Sequence, residues 1–356
     1  MVSEKGASLS ASACRISNNP TTGIRALGSG TSVTVNAVWI SGTPLSEEVK
    51  FANGIEAIGG ANLSVTGSLI SDNHTTGVLA AESGTVVTAS EVWVSGMTLN
   101  AEGLGGYGIT AAGGASLSVS GSAVSDNHTA GIAVWHSDTT ATVGEVWISG
   151  TQMNGKGQHG RGVYADEGAT LSVSRSLVSD NHTAGIQANG DDTILMVSEV
   201  WVSGTRVNGE GLAGIGIGAS SNASFSVSGS RLSDNHTAAV SFIQSGGSVT
   251  DSVLEGTKIS GLQLGDGLLA TGSVVTVDRV ISRDNARAGV LFDRSDGELS
   301  GSLITQNAIG LANQGQPGAA ISEDNVIEGN DQDRLDDGDL EVPDEAMSIP
   351  DLPAFD

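Results

Sequence analysis

Leu117-Ser118-Val119-Ser120-Gly121-Ser122-Ala123-Val124-Ser125-Asp126-Asn127 can be laid without a gap over Ala141-Thr142-Val143-Gly144-Glu145-Val146-Trp147-Ile148-Ser149-Gly150-Thr151, 24 residues later. Leu117, Val119 and Val124 share one face with Val143, Val146 and Ile148, while Ser118, Ser120 and Thr142 fall on the other. A period of two over short runs, broken by Gly, Asn and Asp, describes strands joined by turns. No helical period lies between the runs, which excludes βαβ units. Runs that match one coil later can stack in parallel at about 4.8 Å, giving a solenoid filled by small aliphatic side chains.

Working outward, the same pair recurs. Ser-Asp-Asn-His-Thr begins at Ser71, Ser125, Ser179 and Ser233, each 54 residues after the last, and a degenerate copy runs from Ser17 to Thr21. Trp39, Trp93, Trp147 and Trp201 keep the same interval. One unit is therefore two coils, of 24 and 30 residues, and shorter single coils follow. The expected fold is all-β, a parallel β-helix of about 13 coils over residues 1–330. Asn19, Asn73, Asn127, Asn181, Asn235, Asn285, Asn307 and Asn330 mark one corner, where an inward asparagine ladder bonded to turn backbone is expected. Residues 331–356 hold three of the six prolines and lack the coil pattern, so they are expected to form a flexible or loosely docked cap.

Composition agrees with strands and turns. Of 356 residues 51 are Gly, while Lys and Arg together number only 15, so helix formers are scarce. The net charge is −25, of which residues 331–356 contribute ten acids against Arg334, leaving about −16 for the body. Such a surface repels phosphate backbones and argues against nucleic-acid binding. It allows weak cation binding, calcium included, but points to no cofactor. A single Cys14 excludes an internal disulfide framework. No run reaches the roughly 18 apolar residues of a membrane span, and no signal peptide is visible. The chain opens inside a repeat, since residues 6–10 match residues 114–118, which suggests a removed leader or upstream coils.

The pattern hydrophobic-Ser/Thr-hydrophobic, then Val-Ser-Asp-Asn, then Gly-Ile/Val, as in Asp126-Asn127-His128-Thr129-Ala130-Gly131-Ile132, resembles the right-handed parallel β-helix repeat proteins. That family includes pectate lyases and many secreted bacterial proteins, and the duplicated style is most similar to large surface proteins of bacteria such as myxobacteria. The resemblance covers roughly residues 6–330 and implies an extracellular or cell-surface location with a polysaccharide or cell-surface partner. Pectate lyases continue their Val-Trp-Ile core with Asp-His, whereas Val146-Trp147-Ile148 continues with Ser149-Gly150. Their Arg-x-Pro-x-x-Arg signature is also missing, so no catalytic residue carries over.

Because an active site is a single constellation, residues repeated in every unit are better structural or multivalent-binding candidates than catalytic ones. His74, His128, His182 and His236 would stand about 9.6 Å apart on alternate coils, too far to share a metal that each must approach to about 2.1 Å. No metal site is expected, and these histidines read as exposed turn residues. Asp72, Asp126, Asp180 and Asp234 face Gly96, Gly150 and Gly204 of the next coil, which offer no further ligand for calcium. Gly209 to Gly214 mimics a phosphate loop but opens no helix and contains Glu210. The Asn-His-Thr sequons are not glycosylation acceptors if their Asn side chains point inward.

The outward column reads Arg15, Trp39, Leu69, Trp93, Ala123, Trp147, Leu177, Trp201, Arg231. An exposed apolar stripe of that length would be a platform for sugar rings or a partner protein. The long loops carry Leu45, Leu99, Met153 and Val207 at a constant offset, however, and this regularity favours loops folding back over the indoles. A second column, Ser10, Thr34, Ser64, Thr88, Ser118, Thr142, Ser172 and Ser226, is broken by Met196 and allows a minor ice-binding reading. Glu91, Glu145 and Glu199 beside the tryptophans are spaced by the ladder itself, which deprives their spacing of catalytic meaning. The 54-residue period fails between about 255 and 300, where Arg279, Arg283, Arg287 and Arg294 alternate with Asp278, Asp284, Asp293 and Asp296. Surface ion pairs are the ordinary outcome there, yet Arg279, Arg283, Asp284 and Arg287 are the first residues to test for catalysis.

These readings favour a non-catalytic extracellular or surface β-solenoid that serves as spacer, adhesive or carbohydrate-contacting scaffold through Trp39, Trp93, Trp147 and Trp201. The alternative is a polysaccharide lyase or hydrolase with its site in coils 255–300. Open coil ends also leave room for end-to-end or lateral self-association.

Overall fold

The computed structural model describes residues 1–42, 52–100, 102–336, 338 and 340–342. Leu45 lies outside them. A typical coil makes strands of six, five and three residues, as in Ala130–Trp135, Thr140–Gly144 and Trp147–Ser149. Each pairs in parallel with its equivalents, building three sheets of 14, 13 and 13 strands. We call them the first, second and third sheet in the order the chain visits them. The result is a right-handed parallel β-helix of about 13 coils with no helix among the described residues. Its coils fall into two compact units, parted between Leu177 and Val178.

The gapless overlay read from the sequence is the physical register. Leu117 sits opposite Ala141, Val119 opposite Val143, Ala123 opposite Trp147 and Val124 opposite Ile148. The inward members are buried and form the core, and the shortness of their side chains lets opposing sheets approach.

The asparagine corner shows how the turn is satisfied and why the glycine of the preceding coil sits against it. Asn73, Asn127, Asn181 and Asn235 are completely buried. The Met97 N–H donates to Asn127 Oδ1 at 3.1 Å, and Asn127 Nδ2 donates to the Val94 carbonyl at 3.3 Å. Asn235 does the same with Thr205 and Val202. Such bonds satisfy backbone groups that the turn removes from the ladder. A Cβ at Gly108 would lie 2.4 Å from the Gly131 carbonyl oxygen and 2.9 Å from Asn127 Nδ2, so this position beside the ladder is crowded, although Ala239 takes the place of Gly131 in a later repeat. Burial also removes the four Asn-His-Thr sequons from reach in the folded chain.

Steric fit explains the Asp/Gly alternation as well. Asp126 and Gly150 both have positive φ, at 53° and 66°. A Cβ on Gly150 would stand 2.7 Å from Asp126 Oδ1, so the carboxylate occupies the space a side chain would need.

The strands of the first sheet from Tyr107–Ala112 to Ala288–Asp293 differ from those of the other sheets in having both faces buried. Thr110, Ala133 and Tyr164 in one unit, and Leu269, Leu291 and Ala312 in the other, point outward yet are buried. In the second unit Leu340 and Val342 lie over this face. The sheet itself ends on Gln332–Asp336, paired with Ile309–Gln314, so the ladder passes the boundary expected at residue 330. Alternation within 332–336 is weak because these residues form the last rung, and the sequence pattern therefore hid it.

Candidate functional site

On the third sheet, Trp39 stands opposite Arg15 and Leu69, Trp93 opposite Leu69 and Ala123, and Trp147 opposite Ala123. Trp201 stands opposite Arg231. The four indoles are 40, 55, 51 and 47 % exposed in chain order, so among the described residues the expected loop cover is absent over Trp93, Trp147 and Trp201. The loop residues go elsewhere: Leu99 lies against Gly106 and Gly155, and Val207 against Gly214, closing the necks of the loops. Within the first unit the indoles recur every second rung, at about 9.6 Å.

Three of these rings are held by their edges. Nε1 of Trp39 donates to Ser71 Oγ at 3.2 Å, that of Trp93 to Ser125 at 3.3 Å and that of Trp201 to Ser233 at 3.0 Å. An indole pinned through its polar edge loses little further freedom when a ligand stacks on its face. The Arg15 guanidinium lies 4.1 Å over Trp39 and that of Arg231 5.4 Å over Trp201. Trp93 and Trp147 are the most open members. Glu91, Glu145 and Glu199 take the positive-φ corner beside the column, and Glu145 pairs with Arg175 at 3.3 Å.

The turn histidines are half-buried rather than exposed, and the rings of His128 and His236 bond back to the coil. Nδ1 lies 3.0 Å from the Met97 carbonyl in His128 and 2.9 Å from the Thr205 carbonyl in His236, so Nδ1 carries the proton. Among the described residues no group of His, Cys, Asp and Glu gathers to hold a metal. The Gly-rich loops are closed by their own asparagines: Asn208 Oδ1 accepts the N–H of Glu210 and of Leu212, at 3.0 and 2.9 Å.

In the irregular coils the arginines meet carboxylates of neighbouring coils. Arg279 reaches both oxygens of Asp251, at 2.6 and 2.8 Å, and also Asp278. Its bond holds the Asp251 carboxyl below the usual range. Arg283 and Arg231 share Glu255; partial burial pushes that carboxyl up, and the two guanidinium groups outweigh it and hold it low. Arg287 clasps Asp266 at 2.8 and 2.6 Å, and complete burial of Asp266 raises its carboxyl against the pull of Arg287. Arg294 bonds Asp293 at 2.8 Å. Asp284 occupies a corner with φ 56°. These residues line successive coil edges and do not converge on one point.

A second constellation, on the outer face of the first sheet, was not singled out from the sequence. Tyr107, Trp135, His159, Arg161, Tyr164 and Asp166 are all between 1 and 6 % exposed. Tyr107 meets Trp135 edge-on at 5.5 Å, and the Arg161 guanidinium lies 4.1 Å over Tyr164. Arg161 Nη1 donates to His159 Nδ1 at 2.9 Å, while the Tyr164 hydroxyl donates to Asp166. Burial first, then the charges of Arg161 and Lys156, push the His159 imidazole down to about 3, so the ring is neutral and accepts. Burial likewise pushes the Tyr107 hydroxyl up. A signal was present: both tyrosines of the chain and the one tryptophan outside the 54-residue series fall here.

The right handed beta helix region family model matches residues 2–197, 94–250 and 213–334. Among solved structures, the chain is similar to the periplasmic alginate epimerase AlgG, with a TM-score of 0.58 and 11 % identity over 82 % of this chain and 75 % of that one. It is also similar to pectate lyase Pel9A, with a TM-score of 0.44 and 12 % identity over 71 % and 68 % of the two chains. The likeness to the epimerase, at such identity, is one of fold. A comparison with the curated proteins finds no match. With the coil register, the three stacked sheets and a family match along nearly its whole length, the chain belongs to the right handed beta helix region family.

Proposed function

We propose that the chain is a non-catalytic extracellular or cell-surface β-helix that contacts polysaccharide through the third-sheet tryptophans. The observation that carries this reading is the first unit's half-exposed indoles, with Trp39 and Trp93 fixed at their edges and Trp93 and Trp147 the most exposed. Repetition at every second rung suits a polymer, since several weak stacking contacts on one chain add by effective concentration. The net charge of −25 works against polyanions and favours a neutral glycan. Support for a carbohydrate-related role also comes from the similar fold of the alginate epimerase, and its periplasmic location agrees with a place outside the cytoplasm.

The test is affinity electrophoresis of the whole chain in gels holding neutral or uronate polysaccharides. Retardation by a neutral glycan, weakened at least tenfold in Trp93→Ala/Trp147→Ala with unchanged circular dichroism, is expected. The same panel is assayed for new reducing or unsaturated ends. Turnover that Arg283→Ala abolishes would replace this reading with a polysaccharide-degrading enzyme acting at the irregular coils.

A further inference from the structure

The outer face of the first sheet in the second unit is a groove with an occupant. Ala238, Leu264, Leu269, Ala288, Leu291 and Ala312 form an apolar floor, on which Leu340 and Val342 rest. The two seated residues alternate with Glu341, as they would in any extended segment. The walls hold its main chain. The Leu340 N–H donates to Gln314 Oε1 at 3.0 Å, and Gln314 Nε2 donates back to the Leu340 carbonyl at 2.9 Å. Arg287 Nη1 donates to the Glu341 carbonyl at 2.8 Å. Gln314 is itself buried and oriented by a 3.1 Å bond to Asp293 Oδ1.

This arrangement recognises an extended peptide: main-chain bonds fix its direction and apolar side chains at alternate positions fix its register. Arg287 and Arg294 are already paired with Asp266 and Asp293, so the groove's hold on residues 336–344, Asp-Asp-Gly-Asp-Leu-Glu-Val-Pro-Asp, rests on main-chain bonds and apolar contact. Two apolar side chains and three hydrogen bonds are a light hold, so the segment belongs to the low-stability end of the molecule and opens locally.

We propose that the groove is a docking site for the C-terminal segment of a second copy, so that copies of the chain link by exchanging tails. Every copy carries a segment already complementary to the groove, and the intramolecular segment is its competitor. The inference does not depend on the carbohydrate reading.

The test uses a fluorescent peptide of residues 336–344 and the full-length variant Leu340→Asp/Val342→Asp, whose own tail no longer fits. Saturable binding to this variant by fluorescence anisotropy is expected, at least tenfold tighter than to the wild type. Adding Gln314→Ala should abolish it. Sedimentation should show concentration-dependent association of the wild type that the double variant lacks. No saturable binding, equal affinity for both proteins, indifference to Gln314→Ala, or a wild type monomeric throughout would each overturn the proposal. Circular dichroism checks folding, and Leu340→Ser replaces the double variant if that one is unfolded.

Discussion

Trp135 and Trp147 belong to one coil, yet their surroundings are opposite. Trp135 ends a first-sheet strand, is 4 % exposed and packs edge-on against Tyr107. Trp147 opens a third-sheet strand and is 51 % exposed. The difference teaches that in this β-helix the sheet, more than the residue type, decides whether an aromatic serves packing or remains open to a ligand. Around Trp135 the first sheet is buried on both faces, whereas around Trp147 the third keeps its outer face in solvent.

The largest expected effect sets the two tryptophans side by side. Trp135→Ala should cost about 3–5 kcal/mol in denaturant unfolding, as for other buried aromatic truncations. Trp147→Ala should stay within about 0.5 kcal/mol. Equal losses would erase the distinction between the faces. Next in size, Asn127→Ala leaves the Met97 N–H and the Val94 carbonyl without their partner, for a loss of about 2–3 kcal/mol by the same measurement.

A pH series probes the first-sheet cluster. The His159 imidazole is pushed from 6.5 down to about 3 in the fold, mainly by burial, so folding favours its neutral form. Its contribution is complete above pH 6.5 and is lost as pH falls towards 3, by about 1.5 kcal/mol between pH 6.5 and 5. Chemical denaturation of His159→Gln should therefore show a shallower decline across that window, and an unchanged slope would place the ring in water. The smallest effect is expected from Arg283→Ala. Its side chain is 44 % exposed and Glu255 keeps Arg231, so the loss should be under about 1 kcal/mol, with glycan retardation unaltered.

Much of the fold was legible because the repeat compares the chain with itself. A gapless match at 24 residues fixed the pairing of Val124 with Ile148, and recurring Asn marked a corner that backbone bonds require. Where the comparison fails, so does the reading. Tyr107, Arg161 and Tyr164 occur once, and their strands lack alternation because both faces are buried. Their aromatic content was the available signal. The tryptophan cover was misread for a different reason: a constant apolar residue in each loop shows that it is buried somewhere, but not against what. Leu99 and Val207 meet glycines near the neck of the loops instead.

Whether the third-sheet indoles take sugar is tested most directly by following tryptophan emission of the whole chain while a neutral polysaccharide is added. Emission should start red and quenchable by acrylamide, then shift blue and become protected in a saturable way, with Trp93→Ala/Trp147→Ala losing most of the change. Emission that is blue and unquenched from the outset, or red and unmoved by every glycan tried, would contradict a sugar-binding tryptophan row.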